Sequence, residues 1–331
     1  MQRLCLVLAR PLKLPVTRSI KDKMKNLKST LITILMLSSA LTIKAQQDES
    51  STHNYPYLNQ EPPGITPEIF APGIVSTENR VYANVTFSPD IEEVCWTPNS
   101  GDTAFWHGGI YYSKRENDIW SGPTEIRFLE KGYSHRSAYF GLTGKRLYFQ
   151  GYRNINEGWD QYEEFYYVEK TEKGWTKPAL LDSIFIKYAI HWQFSLDSEN
   201  NIWFGGDLRG VDNTGGIYFS RLIDDKYQEP ELIFSNSEYG EAVFGPAISP
   251  DNSFLLFARV HPRGSTNPRI FSIYISFREG KNLWSEPQEL GEKLNMDGNQ
   301  PRISPDGKYI FLVGNDSEAY WVDAKIINDL R

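Results

Sequence analysis

One turn motif recurs five times along the chain, and that recurrence restricts it to a repeat fold. The motif is an apolar residue, then Ser-Pro-Asp or a variant, then a second apolar run. Four copies are Phe87-Ser88-Pro89-Asp90, Phe194-Ser195-Leu196-Asp197, Ile248-Ser249-Pro250-Asp251 and Ile303-Ser304-Pro305-Asp306-Gly307, and Phe140-Gly141-Leu142-Thr143-Gly144 is a degenerate fifth. Their first residues are 53, 54, 54 and 55 positions apart. Aromatic pairs follow each copy: Tyr111-Tyr112, Tyr166-Tyr167, Tyr218-Phe219, Tyr274 with Ile275, and Tyr320-Trp321. An aromatic then precedes a proline by three residues at Trp120, Trp175, Tyr227 and Trp284. Each unit reads as four short strands. The first ends at the motif's apolar residue, and Pro, Asp and Gly supply the turn chemistry that starts the second. The aromatic pair is the third, and the proline step leads to an outer, edge strand. Four strands in each of several sequential repeats are the pattern of a β-propeller blade.

The chain ends specify how such a ring closes. The fifth unit stops at Arg331 without a fourth strand, while Pro67-Glu68-Ile69-Phe70-Ala71-Pro72 resembles the fourth strand of the third unit, Pro230-Glu231-Leu232-Ile233-Phe234. The N-terminal strand is expected to complete the last blade and remove an open edge. The expectation is an all-β, single β-propeller of five four-stranded blades over residues 61–331, with a degenerate sixth blade as the alternative count. A terminal helical turn is expected from Asp323 to Leu330. The 19 Tyr, 18 Phe and 9 Trp agree with strands, which favour aromatics.

Residues 1–45 read as a signal-peptide region. Lys25 and Lys28 precede an apolar core from Leu31 to Ile43, and Ala45 is suited to cleavage before Gln46. Thirteen apolar residues fall short of the roughly 20 that span a bilayer, so a membrane anchor is the weaker reading. Residues 1–23 carry no fold pattern, and Met24 is a second candidate start. Residues 46–60 read as a linker. Removing residues 1–45 takes away nine basic residues and one acid, leaving 26 basic and 41 acidic residues and a net charge of −15. Such a surface repels phosphate backbones and excludes nucleic acid as a partner. Cys5 leaves with the leader, so Cys95 has no internal disulfide partner, and no cysteine follows the apolar core for lipid attachment. The expected location is the periplasm or the exterior, with no transmembrane segment in the mature chain.

The Ser-Pro-Asp-Gly repeats followed by an apolar strand resemble the WD40-like β-propeller repeat of TolB-type bacterial periplasmic proteins. The stretch from Pro62 to Thr77 and the ending Tyr320-Trp321-Val322-Asp323-Ala324-Lys325 resemble a secreted subgroup of them. The resemblance covers about residues 60–328. It implies an exported propeller that serves as a scaffold or binding module. TolB itself has a separate N-terminal domain and six blades, both absent from this reading. The shared residues belong to turns and core, so no catalytic residue carries over.

Candidate chemistry is sparse. Asp90, Asp197, Asp251 and Asp306 suggest a carboxylate ring, yet turn chemistry explains both their type and their position. The aromatics before the prolines read as inter-blade packing, with sugar stacking as the functional alternative. A propeller presents its inner strands to the central channel. The three residues before each motif are Asn84-Val85-Thr86, Ser137-Ala138-Tyr139, His191-Trp192-Gln193, Gly245-Pro246-Ala247 and Gln300-Pro301-Arg302. None is acidic, which argues against the carboxylate pair of a glycoside hydrolase, although Glu241 and Asp297 lie a few residues upstream. His135, Arg136, Tyr139 and His191 are the candidate set for proton abstraction from an acidic sugar. His107 and His261 lack zinc-ligand spacing, and no calcium loop, phosphate cradle or nucleophile elbow occurs. No cofactor is implied.

Arg153, Arg209 and Arg263 lie in the loops after the second strands of three successive units, on what should be one face. With Asn84, His191, Gln300 and Arg302 they form the candidate ligand-binding set. The favoured reading is a non-catalytic envelope module that binds protein or glycan. A polysaccharide-acting enzyme, lyase more than hydrolase, and a structural scaffold are the alternatives.

Overall fold

Each Ser-Pro-Asp turn is built as its residues dictate. Ser304 Oγ donates to Asp306 Oδ1 at 2.7 Å and accepts the Tyr309 amide at 2.9 Å, while Asp306 Oδ1 accepts the Lys308 amide at 3.2 Å. Gly307 follows at φ 72°, a conformation that suits glycine. The same bonds recur around Ser249 and Asp251 and around Ser88 and Asp90. Burial pushes these three aspartates upward in pKa, but the hydroxyl and amide donors outweigh it and hold each carboxyl below its usual range.

The third turn departs from the expected alignment. The inner strand there runs to Leu196, which pairs with Ile202 as Phe87 pairs with Val94. Leu196, rather than Phe194, is therefore the counterpart of Phe87. Asp197 stands where three of the other turns carry serine, and its Oδ1 accepts both the Glu199 and the Asn201 amides. One carboxylate thus replaces the Ser–Asp pair in a turn one residue shorter.

The computed structural model describes residues 55–331 except 79–80, 99–108, 131–132, 154–162, 240–241, 262–269 and 282. Five antiparallel sheets are arranged in a ring. Their inner strands are Val81–Phe87, Tyr133–Phe140, Tyr188–Leu196, Val243–Ile248 and Gly298–Ile303. Each neighbours the next, and the fifth returns to the first. Second strands (Glu93–Pro98, Arg146–Arg153, Ile202–Leu208, Phe254–His261, Tyr309–Gly314) and third strands (Ile110–Glu116, Glu164–Thr171, Gly216–Ser220, Ile270–Phe277, Ala319–Asp323) follow in order outward. The chain is a five-bladed β-propeller with no sixth blade among the described residues.

Closure occurs as the sequence suggested. Glu68–Ile69 pairs antiparallel with the last blade, Glu68 opposite Trp321 and Ile69 opposite Tyr320. Phe70, fully buried, packs its ring 5.0 Å from Phe311 and 5.1 Å from Trp321. Burial of such a ring contributes about 1.5–3 kcal/mol. Residues 55–60 are not linker. Tyr57 sits in the same cluster and donates to Asp306 at 2.8 Å, so the propeller's packing begins at Tyr55. The terminal turn is a 3-10 helix, Ala324–Leu330, capped by Asp323, which accepts the Lys325 amide at 2.8 Å. Aromatics before the prolines do pack between blades: Trp284 meets Trp203 edge-on at 5.5 Å. The proposed leader, with its cleavage site, lies outside the described residues. Among those residues, no helix is long and apolar enough to cross a membrane.

Candidate functional site

Every inner strand is interrupted at the same place. The pairing register shifts between Ala83 and Thr86, Arg136 and Tyr139, His191 and Phe194, Phe244 and Ala247, and Asn299 and Arg302. These are the positions singled out above. Ser137 and Gln300 adopt left-handed φ of 51° and 52°, and Gly245 has 62°. A non-glycine residue held there costs on the order of 1–3 kcal/mol. A bulge re-aims side chains, so the five interruptions set what the channel presents.

Where the strands begin there are two charge pairs, one in blade two and one in blade three. Arg136 Nη1 lies 3.0 Å from Glu163 Oε1, both side chains about nine-tenths buried. His191 Nε2 lies 2.8 Å from Asp207 Oδ2 at the rim, with their side chains 46% and 37% exposed. Burial raises the Glu163 pKa, and the positive fields of Arg136 and His191 act against it. Glu163 and Asp207 were missed in the sequence, because neither stands in a repeated motif. The Gly205-Gly206 pair before Asp207 was the available sign: a Cβ on Gly206 would lie 2.8 Å from the Ala189 carbonyl oxygen, so only glycine permits that approach.

Past the bulges the channel is crossed by side chains. Gln193 Nε2 donates to the Pro301 carbonyl, and Arg302 Nη1 donates to the Phe194 carbonyl, each joining blade three to blade five. The Arg302 guanidinium lies 4.9 Å from the centre of the Tyr139 ring. Burial lowers the Arg302 pKa to about 10, with only Tyr139 opposing the shift. Below this crossing, the turn-face mouth is a pocket of about 130 Å³ drawn from all five blades, its wall including Thr86, Tyr139, Leu196, Ile248 and Arg302.

The four residues of the lyase reading do not converge. His135 is turned away from the channel: its Nε2 accepts the Phe128 and Leu129 amides at 3.0 and 2.7 Å, and its ring stacks on Phe149. Burial lowers its pKa to about 4, so it is neutral at ordinary pH. Tyr139 lies beyond the bulge, donating to the Leu196 carbonyl at 3.4 Å. Only Arg136 and His191 approach a shared group, Glu163. Gln300 is buried at its bulge, and Arg209 donates from Nε to the Tyr188 carbonyl at 2.9 Å. Asp297 is half-buried just before the fifth inner strand. The side chains of Asn84, Arg153 and His261 and the whole of His107, Glu241 and Arg263 lie outside the described residues. Among those described, no three His, Cys, Asp or Glu side chains gather to hold a metal.

The fold thus defines the class, a five-bladed β-propeller. No family model matches the chain, and no curated protein matches its sequence. Solved structures similar to it include a TolB protein of Agrobacterium tumefaciens, with a TM-score of 0.44 and 14% identity over 72% of this chain and 71% of that one. An endo-arabinase of Bacteroides thetaiotaomicron has a TM-score of 0.48 and 18% identity over 74% and 94%. An arabinanase of Bacillus subtilis has a TM-score of 0.48 and 12% identity over the same shares. At these identities the likeness is one of fold.

Proposed function

We propose that the chain is exported to the periplasm or exterior and acts there as a binding propeller without chemistry of its own. Its partner, a protein or a glycan, engages the mouth where the inner strands begin. The observation that carries this reading is the state of the charges there. Arg136 is committed to Glu163 in a buried pair, His135 is committed to backbone amides, and the exposed His191–Asp207 pair remains at the rim as a polar docking point. Such an arrangement recognises donors and acceptors, and it leaves His135 without access to a substrate proton. A thermal-shift screen of the full-length chain against neutral and acidic oligosaccharides tests it. The expected result is a midpoint that rises with one class of glycan, is lost in His191→Ala and Asp207→Ala, and is accompanied by no turnover. Glycan cleavage that depends on those side chains would refute it; silence toward every glycan would direct the search to a protein partner.

One observation favours the enzyme reading. Glu163, raised in pKa by burial, feels the charge of His191, and Asp207, at the exposed rim, pairs with that same histidine. Two carboxylates in contrasting environments are how acid and base roles are divided. A Glu163→Gln variant that abolishes a measured turnover while still binding glycan would support that reading over the binding one.

A further inference from the structure

Arg302 is a charge without a counter-charge among the described residues. Its side chain is 2% exposed, its pKa is opposed only by Tyr139, and no ion pair with it occurs among the described residues. One of its three nitrogens, Nη1, is used by the Phe194 carbonyl. The other two, Nε and Nη2, are buried and have no hydrogen-bond partner among the described residues. These two share one edge of the guanidinium plane, the edge that takes both oxygens of a carboxylate side-on. Burying donors unpaired is costly, most of all on a charged group, and such a group in a native structure calls for an explanation, such as a bound ligand.

The surroundings define that ligand. The pocket walled in part by Arg302 is apolar over most of its surface, with Val85, Phe87, Leu196, Ile248 and Ile303 around it and Leu142 at its exposed rim. Its one carboxylate, Asp197, is turned into its own hairpin, accepting the Glu199 and Asn201 amides and the Asn201 side chain. At about 130 Å³ the space equals roughly four water volumes of about 30 Å³ each, enough for a carboxylate with a short aliphatic body.

We propose that the turn-face mouth of the channel is a second binding site, which takes a small aliphatic carboxylate, free or at the end of a chain, with Arg302 as its counter-charge. This site lies at the opposite end of the channel from the glycan- or protein-binding mouth and stands independently of it.

The test is thermal denaturation of the full-length chain titrated with sodium butyrate, with neutral butyramide, sodium chloride and phosphate as controls. The expected result is a midpoint that climbs with butyrate concentration and ignores butyramide, chloride and phosphate. Affinity should weaken about tenfold or more in Arg302→Met, since hydrogen bonds to a charged group are lost. Leu142→Glu, at an exposed position, should weaken butyrate several-fold by repulsion without touching the core, which keeps the test usable should Arg302→Met fold poorly. A peptide ending in valine, with a free or amidated carboxylate, then separates a chain-end ligand from a free one. Equal shifts with butyramide, equal shifts with phosphate or chloride, retention of binding in Arg302→Met, or no shift with any carboxylate would each overturn the proposal.

Discussion

Where the inner strands begin, Arg136 faces Glu163 at 3.0 Å within blade two; where they end, Arg302 is at least as deeply buried, with no ion-pair partner among the described residues. Both guanidiniums sit on inner strands of the same ring, one residue before and one residue at the end of the recurring bulge. The difference is what each is for. A buried pair compensates its own desolvation and ties the inner strand of its blade to the start of the third, although its removal as a unit need not destabilise a fold. A lone buried cation gives the fold little beyond its bond to the Phe194 carbonyl, which points to a ligand as its counter-charge. The two ends of one channel thus hold a structural charge and a charge held in reserve.

The largest expected effect comes from breaking the pair. Glu163→Ala should lose about 3–5 kcal/mol in urea denaturation, because it strips a buried arginine of its main counter-charge. The pH profile comes next. His135 has a folded pKa of about 4 against an ordinary 6.5, so between those values the unfolded chain binds the proton and the folded chain does not. Stability should be intact above pH 6.5 and decline as pH falls toward 4. His135→Gln should flatten that decline. A smaller loss, about 1 kcal/mol, is expected of Asp306→Asn at neutral pH, from its weakened turn bonds. Its folded pKa is depressed below 3.8, so the wild-type advantage exists above that value and disappears as pH falls below it; matched urea titrations of the two proteins across that range check it. The least effect belongs to Leu142→Glu, whose stability should stay within about 0.5 kcal/mol of wild type, confining its consequence to the anion pocket.

The fold was legible in the sequence because turn chemistry repeats: Ser-Pro-Asp marks three hairpins and variants of it mark the other two at near-constant spacing, and the Glu68–Ile69 strand betrays closure by its likeness to an outer strand. The blade-three turn was misaligned by two residues because Asp197 does with one side chain what Ser and Asp do elsewhere, so its pattern imitates the motif in the wrong register. The site was legible in part. Reading the residues before each motif located all five bulges, including Arg302 and His191, since position on an inner strand follows from the repeat. Pairing did not follow. Glu163 and Asp207 come from a loop end and a second strand, outside any repeated pattern, and His135 lies on the right strand with its ring on the wrong side of it. Which way a side chain turns near a bulge depends on backbone geometry that no spacing encodes.

The measurement that tests this contrast most directly is the equilibrium unfolding of Arg302→Met beside Glu163→Ala, in buffer free of carboxylates. Methionine surrenders the bond to the Phe194 carbonyl and the contact with Tyr139 but removes an uncompensated buried charge. The account predicts a stability within about 1 kcal/mol of wild type, against the loss of several for Glu163→Ala. A loss in Arg302→Met as large as that of Glu163→Ala would contradict it, and would make Arg302 a strut of the ring rather than a charge held for a ligand.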